Sequence, residues 1–154
     1  MKKGHFVLIG CSVLLVVALS FLPRTKAEVQ SEPETSSDQR VEEALRKVQS
    51  GENPMEGVMM LRAILEEDPD HLQATYALGM LSMQSGQFEL AVKRFDRVLE
   101  IDPNQVEAYR LKGEAYEAMG QAENALIDYQ LYVEKSDDLK AKESIGQRIK
   151  ELKD

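Results

Sequence analysis

The sequence predicts an all-α chain: about three stacked helical hairpins, closed by a C-terminal capping helix and preceded by a transmembrane helix. Three observations carry this expectation. Residues Phe6 to Leu22 run without a charge. Beyond residue 38, apolar residues recur at helical spacing on both sides of glycines. The body of the chain also repeats itself, with the stretch from Leu72 recurring from Val106 onward. The hydrophobic fraction of 43% is ordinary for a soluble protein, so the uneven placing of those residues is the informative feature.

The segment 1–27 is expected to be a transmembrane anchor or a signal segment. Its uncharged run, Phe6 to Leu22, follows Lys2 and Lys3 and stops at Pro23-Arg24. As a helix it covers roughly 26 Å, slightly short of the ~30 Å hydrocarbon core of a bilayer. Ala18-Leu19-Ser20 would serve as a cleavage site, but cutting there splits the apolar run and leaves Phe21 and Leu22 exposed at the new terminus. The expectation is therefore an uncleaved single-pass anchor through residues 6–22, with a secreted or periplasmic product of cleavage as the alternative. The short leader with Lys2 and Lys3 would stay in the cytoplasm, placing the body outside it, although Arg24 and Lys26 balance the charge bias. Cys11, the single cysteine, lies inside the apolar run, so an intramolecular disulfide and a cysteine-based zinc site are both excluded. Leu8-Ile9-Gly10-Cys11 has the form of a lipoprotein cleavage box, but too short an apolar stretch precedes it.

Residues 28–38 contain Val29 as their sole apolar side chain and read as a flexible linker. The helical domain is then expected over 39–154. The chain has a net charge of −8, and every charged residue of the segment 1–27 is basic, so the body is more acidic still. Such a surface repels phosphate backbones, and no nucleic-acid partner is expected.

The period is read by laying the chain on itself. At an offset of 34, Ala74 meets Ala108, Gly79 meets Gly113, Gly86 meets Gly120, Ala91 meets Ala125 and Phe95 meets Tyr129. Running backward, Leu65, Asp68 and Pro69 meet Leu99, Asp102 and Pro103. Each unit divides into two amphipathic helices at a glycine turn. In the middle unit the first helix carries Leu72, Tyr76, Leu78 and Leu81, and the second Leu90, Ala91, Phe95, Val98 and Leu99. Gly79 and Ala91 permit close approach, Phe95 fills space between units, and Pro103 stops the second helix. One hairpin cannot bury its own apolar face, so three or more stacked units are expected.

This period, with its glycine, alanine, aromatic and proline positions, resembles the tetratricopeptide repeat. The resemblance implies a right-handed superhelical stack with units over 38–71, 72–105 and 106–139. The middle unit matches best, although Thr75 stands where the family prefers a large aromatic residue. In the third, Lys112 replaces the usual leucine and Asp137 the proline, which loosens the stop. The first is degenerate, with Leu45 at the position of Gly79 and Gly57 at that of Ala91, so less regular packing of its helices is expected. Residues 140–153, with Ile145, Ile149 and Leu152 on one narrow stripe, suit a solvating cap helix; a docking helix for a partner is the alternative.

The chemistry expected of the chain is that of a surface. No glycine-rich phosphate cradle, nucleophile turn or serine-activating histidine occurs, so neither enzyme activity nor a cofactor is expected. His71, in the turn Asp68-Pro69-Asp70-His71, reads as a helix cap, because metal sites need several converging ligands. In tetratricopeptide arrays the first helix of each hairpin lines a concave groove. The resemblance thus implies a protein-binding face of Gln73, Tyr76, Met80, Met83 and Gln84, then Glu107, Arg110, Glu114 and Glu117. Met80 and Met83 could equally fill the interior, since methionine is also a gap-filler. Repeats that clamp chaperone tails carry Lys, Arg and Asn where this chain has Glu42, Arg46, Ala77, Glu107 and Leu111, so a chaperone tail is not the expected ligand. The expected partner is a protein or peptide, with a homo-oligomer as the alternative.

Overall fold

The computed structural model describes residues 36–154. The expected transmembrane helix, the choice between anchor and signal, the topology and most of the linker lie outside the described residues. Among the described residues no helix is long and apolar enough to cross a membrane.

Seven helices account for this region: α1 (Ser37–Ser50), α2 (Pro54–Glu67), α3 (Leu72–Gln84), α4 (Phe88–Ile101), α5 (Val106–Ala118), α6 (Ala122–Lys135) and α7 (Leu139–Glu151). They pack as three hairpins, α1 with α2, α3 with α4 and α5 with α6, and α7 lies on α6. The fold is the all-α, tetratricopeptide-like superhelical stack that the period implies.

Local chemistry explains where each helix starts and stops. The Ser36 hydroxyl accepts from the Gln39 amide at 3.3 Å, and the Gln39 side chain accepts from the Ser36 amide at 3.2 Å. This reciprocal capping box starts α1 at Ser37, inside the stretch expected to be linker. Pro54 opens α2 from the first turn, where its missing N–H has no intrahelical partner to lose. Asp68 and Asp102 then make the same turn one period apart, each accepting from the amide two positions on, at 3.1 and 3.0 Å. His71 caps α3, its Nδ1 accepting from the Ala74 amide at 3.3 Å.

Both later hairpins turn through a left-handed glycine, Gly86 at φ 72° and Gly120 at φ 73°. There the amide of the following glutamine reaches back to close the helix end, Gln87 to Ser82 at 2.9 Å and Gln121 to Tyr116 at 2.8 Å. At the close approaches, a Cβ on Gly79 would lie 2.7 Å from the Phe95 ring, and one on Gly113 would lie 2.5 Å from the Tyr129 ring. Phe95 and Tyr129 are in consequence fully buried.

Two expectations about irregular packing are corrected. In the first unit, α1 and α2 pack closely because the small residue has moved to the second helix. A Cβ on Gly57 would sit 2.3 Å from the Ala44 carbonyl oxygen and 2.7 Å from Val48. Leu61, at the position of Phe95, is fully buried there. In the third unit, the missing proline does not leave α6 running on. Ser136 takes an extended backbone, its hydroxyl accepts from the Asp138 amide at 3.1 Å, and Asp138 caps α7 through Lys140 and Ala141. The cap helix therefore starts at Leu139, just before its expected position.

Candidate protein-binding groove

The helix α3 carries the apolar part of the expected binding face. Tyr76, Met80 and Met83 are half-buried and rest on one core cluster of Ala91, Phe95, Val98, Ala108 and Leu111. Tyr76 meets Phe95 edge to face, with ring centroids 5.8 Å apart. The two readings of the methionines therefore merge: each fills the seam between hairpins and keeps part of its side chain in solvent. Gln73 and Gln84 are exposed near the two ends of α3.

The helix α5 continues the face with charge. Arg110 donates to Glu107 through Nε at 2.6 Å and also pairs with Glu114, so its guanidinium is held between two carboxylates on its own helix. Burial pushes the Glu114 carboxyl up, and Arg110 offsets that only in part. Burial also raises the Tyr76 phenol, with the Glu107 charge acting in the same direction. The Tyr76 patch and the Arg110 cluster are thus electrostatic neighbours.

One turn further, Glu117 accepts from the Arg148 guanidinium of α7, through Nε at 3.0 Å, and from the Tyr129 hydroxyl at 3.0 Å. The Arg148 hydrogen bonds outweigh partial burial and hold Glu117 below the usual carboxylate range. Glu114 and Glu117 border a cleft of about 690 Å³ whose other wall is α7, with Glu143, Ile145, Arg148 and Glu151. Two of the expected groove residues therefore meet at a site that includes the capping helix.

A docking role was the alternative expected for α7, but its place beside Glu114 and Glu117 is what sequence reasoning missed. A signal was present: one more step of the same period carries Glu114 to Arg148 and Glu117 to Glu151, so α7 stands where a fourth first helix would begin. Its charged composition hid this, because a solvating cap needs the same residue types.

Comparison with known proteins agrees with this geometry. Residues 52–115 match the family model described as the tetratricopeptide repeat. The type III secretion translocator chaperone SycD of Yersinia enterocolitica is similar in fold, at 18% identity and a TM-score of 0.68, over 78% of this chain and 87% of that one. The same chaperone in complex with a peptide of the translocator YopD gives 17% identity and a TM-score of 0.63, over 75% and 87%. The first repeat domain of Spaghetti (RPAP3), bound to the HSP90 peptide SRMEEVD, gives 14% identity and a TM-score of 0.65, over 76% and 90%. Residues 52–115 thus carry the tetratricopeptide signature, and the described region has the fold of tetratricopeptide arrays.

Proposed function

We propose that the chain is a membrane-tethered scaffold whose repeat array takes up a segment of another protein along the face formed by α3, α5 and α7, within an envelope assembly. It is a binding module and not an enzyme. The observation that carries this reading is the graded face itself. A solvent-reaching apolar patch of Tyr76, Met80 and Met83 leads into a cleft edged by Glu114, Glu117, Glu143 and Glu151. Methionine adapts to irregular partners, and tyrosine combines area with a polar tip. A segment with an apolar residue followed by basic ones fits that order, because the four glutamates of the cleft outnumber the two cations that line it, Lys140 and Arg148. That similar folds hold peptides, as SycD does with YopD and RPAP3 with an HSP90 peptide, supports it.

The test is cross-linking and affinity capture from native membranes, comparing the intact chain with the Tyr76→Ala, Met80→Glu variant. Specific partners present with the intact chain and lost with the variant are expected. An unchanged set of partners would contradict groove binding, and recovery of the chain in the soluble fraction would contradict the tether. Self-association is the second reading, favoured by the exposed apolar side chains Met55, Met59, Ile127 and Leu139.

A further inference from the structure

A second cleft, of about 430 Å³, lies between α2, α3 and α4 and shares no residue with the groove. Arg62, Lys93, Arg94 and Arg97 line it, against a single lining acid, Glu66, in a chain that is acidic as a whole. Arg97 is taken up by Asp70 and Glu100. Among the described residues Arg62 and Arg94 have no ion pair, and the Nε of Arg94 is buried without a hydrogen-bond partner. Leaving such a donor unsatisfied is costly, and every buried polar group without a partner calls for an explanation.

The repeat itself supplies one. One period on, Arg62, Leu78 and Arg94 become Asp96, Lys112 and Asp128. At that second junction the arrangement is complete: the Lys112 ammonium lies 2.7 Å from Asp96 and 3.3 Å from Asp128, a cation between two anions. At the first junction the two outer positions carry the opposite sign, but the central residue is Leu78, which is buried and brings no charge. Thr75 and Leu78 line this cleft where the next junction has Tyr109 and Lys112, so both groups that would fill it are smaller or shorter.

We propose that this cleft takes a carboxylate side chain from an acidic segment of a partner protein, which enters between Arg62 and Arg94 and supplies the anion that the repeat lacks. The cleft walls Leu65, Pro69, Leu78 and Leu90 suit an apolar residue next to that carboxylate. A guanidinium pair is well matched to a carboxylate, since the planar forks donate in parallel. Burial together with the charge of Arg62 lowers the Arg94 pKa, as two cations sharing a site with no ion pair to either of them require.

The probe is a fluorescently labelled Ac-ELELE-NH2 peptide, titrated onto the full-length chain and followed by anisotropy, with Ac-QLQLQ-NH2 and inorganic phosphate as competitors. The acidic peptide is expected to bind and the amide peptide not to compete. Arg62→Gln and Arg94→Gln should each weaken binding about ten-fold or more, whereas Tyr76→Ala in the groove should leave it unchanged. Leu78→Glu, which offers a carboxylate from within, should abolish binding. Arg62 is exposed, so its variant keeps the test sharp should Arg94→Gln or Leu78→Glu fail to fold. Full-strength binding to both arginine variants, or none to the intact chain, would overturn the proposal. Loss of binding in Tyr76→Ala alone would seat the peptide in the groove and also overturn it. Phosphate competing as well as the peptide would show an anion site of a different class, and so reject an acidic segment as its occupant.

Discussion

Lys112 shows what a single residue can hide. At its position a leucine would be ordinary core, and the sequence marks the lysine only as a departure. The structure gives the reason: Asp96 on α4 and Asp128 on α6 converge on it across the junction between repeats. Burial works to lower the Lys112 pKa, but the Asp96 hydrogen bond and the two nearby charges outweigh it and leave it raised. Burial pushes the Asp128 carboxyl up, and Lys112 offsets only part of that. Lys112→Leu would then strand a buried carboxylate, at a cost of about 2–3 kcal/mol at neutral pH. Without Lys112 the folded-state pKa of Asp128 rises further above its unfolded value of about 3.9. The deficit is therefore full at neutral pH, shrinks as pH falls through the raised folded value, and is gone below about 3.9, where Asp128 is protonated in both states. Urea unfolding of both proteins at neutral and acid pH reads this directly; a deficit independent of pH would mean that lost packing, and not the stranded charge, is responsible. The close approach at Gly79 and the burial of Phe95, by contrast, were legible from the repeated glycine and aromatic positions, but that the Phe95 ring of the same hairpin is what meets Gly79 was not.

At the scale of elements, the two helices of the middle unit and the stripe of α7 were visible as amphipathic runs and the other helices followed from the period, while partners and ends were less legible. The start of α1 was written in Ser36 and Gln39, but the polar composition around them reads equally as linker. The first unit looked degenerate because its small residue, Gly57, sits on the second helix, and a positional match counts that exchange as a loss. The cap helix α7 carries its own pH dependence. Glu117 is held below the usual carboxylate range by Arg148, so the contact contributes fully above the unfolded carboxylate value of about 4.3 and is lost as pH falls through the folded one. The protection of α7 amides against hydrogen exchange, relative to the intrinsic rate at each pH, should fall in that acid window, more than that of α4, and Arg148→Gln should remove this change in protection while lowering protection at neutral pH. Unchanged exchange in Arg148→Gln would mean that Ile145, Ile149 and Leu152 hold α7 without the ion pair.

On the scale of the whole molecule, the repeat period was the most informative feature, since stacking follows from it: α4 of one hairpin packs on α5 of the next. The same period, carried one step further, would have placed α7 beside Glu114 and Glu117, and compared between junctions it exposes the unmatched arginines at Arg62 and Arg94. What no periodicity could deliver is the partner, because a groove of tyrosine, methionine and glutamate specifies a chemistry and not a protein. On the proposed reading that partner lies on the first-helix face, with the tether keeping the array at a membrane.

The most direct measurement of that claim is site-specific photo-cross-linking in native membranes, with a photoreactive residue at Met80 on the proposed face or at the exposed Ile127 of α6. A discrete covalent adduct with another protein is expected from position 80 and none from position 127. Adducts from position 127 alone would contradict groove binding and place the interaction on the second-helix face.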